Sequence, residues 1–170
     1  MNLREEILTE HSKKQTARII KYIGADQKRF DELVKLFLND EYRVVQRAAW
    51  PLSYCVIENP QLVKKHLKKI VQCLDKPGVH DAVKRNVVRL LQYIEIPGSL
   101  QGEVMDNCFR LIESPVEPVA VKVFSLTVLG NLAQHYPEII PEIKLLIEEQ
   151  LPMQTAAFRS RAKKVLQSFS

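Results

Sequence analysis

Arg47 and Arg85 stand 38 positions apart, Arg161 lies two such steps further on, and Arg18 precedes all three. Around them the order of residues places Arg43, Trp50, Tyr54, Arg89, Lys122 and Lys164. Guanidinium groups grip carboxylates and phosphates in a fork, and a cation beside an aromatic ring can also hold a stacked base. These ten residues are therefore the candidate binding set. A structural role competes with that reading: the arginines can tie neighbouring segments together through loop carbonyls and acids, and Trp50 can pack beneath Pro51.

Groups suited to catalysis are sparse. The sequence has no Gly-rich phosphate loop, no His-Glu-x-x-His, no Gly-x-Ser-x-Gly and no Cys-x-x-Cys pair. The histidines, His11, His66, His80 and His135, fall one to a segment. His80 with Asp81 resembles a base and its neighbour, yet adjacent helical residues point apart, so a turn or cap role is expected of His80. Cys55, Cys73 and Cys108 are an odd number and read as small apolar side chains in a reducing compartment. No catalytic residue, cofactor or metal site is expected.

Charge adds one asymmetry. The formal net charge is +5, and residues 60–97 alone hold eight Lys and Arg against three acids. Lys64, Lys65, Lys68 and Lys69 lie opposite an apolar stripe, which is how a solvated helix face reads.

What must position these residues is a set of helices. The 5 glycines are few and the 9 prolines fall mostly between apolar-periodic stretches. Leu67, Ile70, Val71 and Leu74 form an i, i+3, i+4, i+7 stripe. Thirty-eight positions on it recurs as Met105, Cys108, Phe109 and Ile112, and again as Ile143, Leu146, Ile147 and Gln150. Backward, at a spacing of 37, it is Phe30, Leu33, Val34 and Phe37. A second column, Leu52, Leu90, Val128 and Leu166, steps by 38, as does the arginine column, whose remaining member is Val123.

The expected unit is a helical hairpin of outer helix A and inner helix B. Helices A are predicted near 26–38, 60–75, 99–113 and 138–150, and helices B near 41–57, 79–95, 117–135 and 155–169. A shortened pair, Leu3 to Thr9 and Lys13 to Ile23, precedes them. Asn59 before Pro60 reads as a cap. Pro51 falls inside a B helix, where it costs about 3 kcal/mol unless the helix kinks, so a kinked B helix is predicted. A lone hairpin cannot cover its own stripe, so each must stack on the next. The fold class is all-α, expected as one right-handed α-α superhelix over residues 1–170, with the B helices lining a concave groove.

Val45-Gln46-Arg47-Ala48-Ala49-Trp50-Pro51-Leu52 and Ala82-Val83-Lys84-Arg85-Asn86-Val87-Val88-Arg89-Leu90-Leu91 resemble the second helix of HEAT and armadillo repeats, with Arg47 and Arg85 as the recurrent arginine. The aspartate usual ahead of that arginine is replaced: Glu41 precedes Arg47 by six, and Val79 holds the matching place before Arg85. The resemblance implies a non-catalytic scaffold that holds a protein or peptide in its groove. The alternative is a nucleic-acid partner, by similarity to the HEAT-like bacterial alkylpurine DNA glycosylases, with Asp81 as the only comparable groove acid. An adenylosuccinate lyase is unsupported, because that superfamily's signature loop is absent. The acidic start, Met1-Asn2-Leu3-Arg4-Glu5-Glu6-Ile7, and the lack of a long apolar run imply neither export nor membrane insertion, so the cytoplasm is the expected compartment.

Overall fold

The computed structural model describes Met1–Ser170 and contains ten α-helices and no strand. They are α1 (Leu3–Thr9), α2 (Lys13–Ile23), α3 (Gln27–Asn39), α4 (Tyr42–Glu58), α5 (Leu67–Gln72), α6 (Asp81–Leu91), α7 (Gly98–Glu113), α8 (Val119–Leu132), α9 (Ile140–Gln150) and α10 (Ala156–Gln167). The chain forms two compact units, Met1–Ile94 and Glu95–Ser170.

Local chemistry sets half of the ten helix starts. The side chains of Asn2, Ser12, Asp26 and Thr155 each accept from a backbone N–H of the first turn, filling donors that the helix leaves unpaired. His80 does the same through Nδ1, 2.9 Å from the Ala82 N–H, so the cap role expected of it is the one it plays. Gly24 closes α2 at φ 51°, a left-handed conformation that suits glycine.

In the first unit α4 is the hub, packed by α1, α2, α3 and α6. The stripe Phe30, Leu33, Val34 and Phe37 is buried on α3, as are Leu52 on α4 and Leu90 on α6. Burial of each such side chain contributes about 1.5–3 kcal/mol, which explains why the stripe must face inward. Helix α4 runs through Pro51 as one helix.

The outer helix expected at 60–75 is interrupted. Its residues form a 3-10 turn at Pro60–Val63, the short α5, and a second 3-10 turn at Cys73–Asp75. Side chains of α3 take up the polar groups so exposed. Asp31 receives Lys65 Nζ at 2.5 Å and contacts His66 Nε2 at 2.6 Å, and Gln27 Nε2 donates to the Leu62 carbonyl at 3.0 Å. Asn59 makes no cap; its side-chain amide donates to the Gly24 carbonyl at 3.2 Å instead.

In the second unit α8 packs against both α7 and α10. Its residues are buried nearly all round, including Val121, Val123, Leu126, Val128 and Leu129. A Cβ at Gly130 would lie 3.2 Å from Val165 Cγ1, so glycine lets α10 approach α8 closely there. The stripe expected on α7 is kept in part. Cys108 and Ile112 are buried as expected, Met105 and Phe109 are half-buried, and Val104, Asn107 and Leu111 are buried beside them. Asn107 is the polar member of this buried face. Its side chain donates to the Glu103 carbonyl at 3.0 Å and accepts from Arg110 Nη2, so it is satisfied although buried.

Candidate functional site

Three inner helices of the first unit and one loop bring cations and aromatic rings to the same place. Trp50 and Tyr54 stand one turn apart on α4, so their side chains share a face. Together with Lys13, Thr16, Ala17 and Ile20 of α2 they line a cleft of about 180 Å³. On α6, Arg89 places its guanidinium carbon 5.3 Å from the Tyr54 ring centroid. That spacing is within reach of a cation–π interaction. Arg89 also donates to Asn86 Oδ1 at 2.7 Å, which orients it, and burial lowers its pKa from the ordinary value, with the charge of Arg85 acting the same way.

The loop between α1 and α2 supplies His11, whose ring meets the Trp50 indole edge-on with centroids 5.5 Å apart. Partial burial, then the positive charges of Arg47 and Arg85, lower its pKa from the usual 6.5. Arg85 stands one turn before Arg89 on α6, so the two guanidinium groups share a face of that helix. Nothing in the local spacing of His11 signals the Trp50 contact, because its partner lies on α4.

The other candidates divide by what they touch. Arg47 Nη1 donates to the Leu8 carbonyl at 2.9 Å and lies 3.4 Å from the Ile7 carbonyl, capping the end of α1. Arg18 is held by Glu6 at 3.2 Å. Arg85 and Arg43 are exposed and make no hydrogen bond or ion pair within the protein. Glu41, the acid ahead of Arg47, pairs with Arg4 at 3.3 Å instead.

In the second unit Arg161 and Lys164 line an open cleft of about 530 Å³ with Thr127, Asn131, Gln134 and Ser168. Arg161 donates to Thr127 Oγ1. Lys122 does not belong with them. It is 3% exposed and donates to Gln150 Oε1 at 3.1 Å, and burial lowers its pKa. Its expected place on a binding face is corrected: with α8 buried on nearly every side, a residue one position from the arginine column points inward.

Catalytic groups remain sparse in three dimensions. All three cysteines are buried, and burial pushes the thiols of Cys55 and Cys108 up to about 12, so they stay protonated at neutral pH. No group of three or more His, Cys, Asp and Glu residues is arranged to hold a metal ion. No helix is long and apolar enough to cross a membrane.

Paired helices, a recurrent inner-helix arginine and apolar stripes at a near-constant period together describe a helical-repeat protein, and the chain belongs to the HEAT repeat domain family, which it matches over residues 3–169. No curated protein and no solved structure matches the chain.

Proposed function

We propose that this HEAT repeat protein is a non-catalytic scaffold that holds a segment of another protein against the inner helices of its first unit. The observation that carries the reading is the grouping of His11 against Trp50 and Arg89 over Tyr54, two rings one turn apart on α4, with Arg85 one turn before Arg89 on α6. A binding surface draws most of its energy from a few aromatic and arginine anchors, and these five residues supply both kinds. Arg161 and Lys164 are the corresponding candidates in the second unit. Buried free cysteines suit a reducing compartment, which supports the cytoplasm.

A nucleic-acid partner is the second reading, favoured by the same cations. Asp81, the acid it needs, is an exposed first-turn residue whose carboxylate lies 3.2 Å from Lys84 Nζ. That ion pair argues for a role in starting α6 rather than in chemistry.

A photo-crosslinking residue placed at Tyr54, and in a separate protein at Lys68 on the outer helix, distinguishes the two in native cells. Protein adducts at Tyr54 and none at Lys68 are expected. Nucleic-acid adducts at Tyr54, or equal labelling at both positions, would overturn the proposal.

A further inference from the structure

The cleft between α2 and α4 has two chemically distinct parts. Its walls are the Trp50 and Tyr54 rings with the apolar groups of Ala17 and Ile20, and its volume is about 180 Å³. An apolar cavity of about 150 Å³ accommodates a benzene molecule, so this space suits one aromatic or branched aliphatic side chain. Beside the Tyr54 ring stands Arg89 of α6, with Arg85 one turn earlier on that helix, His11 at the edge of Trp50 and Lys13 on the rim. Arg85 has no acid of its own within the protein. Arg85, Arg89 and Lys13 are all cationic, so the spot repels further positive charge and attracts negative charge.

We infer that this cleft recognises an acidic protein segment carrying a single apolar anchor, the anchor seated between Trp50 and Tyr54 and the flanking carboxylates on Arg85 and Arg89. The inference rests on the scaffold reading and names the chemistry of its partner. Each part has its own task. The anchor loses apolar surface to the cleft and fixes the register, while the carboxylates form charge-assisted hydrogen bonds with the open Arg85 and with Arg89, which Asn86 and the Tyr54 ring already orient. A bare polyanion would engage the arginines but leave the cleft empty. A neutral apolar peptide would fill the cleft and leave the arginines in water.

The chain's one tryptophan is Trp50, so its emission reports occupancy of the cleft directly. The probe is a capped synthetic peptide of aspartates and glutamates around one phenylalanine, titrated into the full chain. A saturable change in Trp50 emission is expected. Replacing the phenylalanine by alanine, or the acids by their amides, should each weaken binding by about tenfold or more, the loss that follows from one unfilled apolar anchor or one lost charged hydrogen bond. Ala17→Leu, which fills the cleft from an exposed position, and Arg85→Glu should do likewise with unchanged thermal melts, whereas Lys68→Glu on the outer face should change nothing. Equal binding of the amide peptide, equal loss from Lys68→Glu, or tighter binding of a single-stranded oligonucleotide than of the peptide would overturn the inference. Protein adducts at Tyr54 in cells together with no peptide binding would sink this inference and leave the scaffold reading standing; nucleic-acid adducts there would remove both.

Discussion

Two units built from the same repeating hairpin treat the same column of residues differently. In the first, the column is Arg47 and Arg85, set beside Trp50, Tyr54 and Arg89. In the second it is Val123, which is buried, and Arg161, which donates to Thr127 across α8 and α10. Even within the first unit the two arginines diverge: Arg47 caps α1, and Arg85 is left to solvent. A residue type that recurs at the repeat period therefore does not carry a recurrent role. The role follows from whether the preceding helix presents carbonyls, rings or open space at that point.

The largest effect that tests this comparison lies in the apolar column beneath the arginines. Leu90, fully buried in the first unit, should cost about 2–5 kcal/mol when changed to alanine, while half-buried Leu166 on the last helix should cost under about 1 kcal/mol, both read by chemical denaturation. Equal losses would mean that the final helix is not a lightly packed cap.

Next come the arginines themselves. Arg47→Ala removes a donor from the end of α1 and should cost about 1–2 kcal/mol, whereas Arg85→Ala should stay within about 0.5 kcal/mol. Reversed values would exchange their structural and binding roles.

Asp31 is a feature of the first unit alone. Burial acts to raise its pKa, but hydrogen bonds from His66, Lys65 and Gln27 and the Lys65 charge together hold it well below the usual 3.8. A depressed carboxylate stabilises the fold above its unfolded pKa, and that contribution is lost as pH falls below about 3.8 towards the folded value. Asp31→Asn should cost about 1 kcal/mol at neutral pH and flatten the acid side of the stability curve. In the second unit, Lys122→Met should change stability by no more than about 1 kcal/mol in either direction, since an apolar side chain of similar length replaces a charge that burial already disfavours.

The smallest effect concerns His11. Its lowered pKa means that the unfolded chain takes up a proton more readily, so its contribution to stability declines as pH falls below 6.5. An NMR titration of the imidazole should show a midpoint below 6.5 that rises when the acidic peptide is added, as the carboxylates offset Arg47 and Arg85. An unmoved midpoint would place the peptide away from Trp50.

Much of the architecture is legible in the sequence. The stripes on α3, α5 and α9, the column Leu52, Leu90 and Val128, the cap at His80 and the inert cysteines all follow from spacing and residue type, because a helix maps i, i+3, i+4 positions onto one face whatever lies opposite. Three features are not. The break in the outer helix at 60–75 is met by Asp31 and Gln27 reaching across from α3. The burial of Asn107 on α7 depends on whether its amide finds partners inside. The burial of Lys122 depends on α8 being packed on both sides.

The candidate site divides in the same way. Its residue types, arginines with one tryptophan and one tyrosine, were readable from the chain, and so was their helical phase. Their sorting into cap, ion pair, buried amide partner and open cation was decided only when segments 12 to 40 positions apart met. Periodicity is a property of neighbours along the chain and survives in the sequence; the environment of a charge is set by groups far along the chain, and only the folded structure brings them within bonding distance.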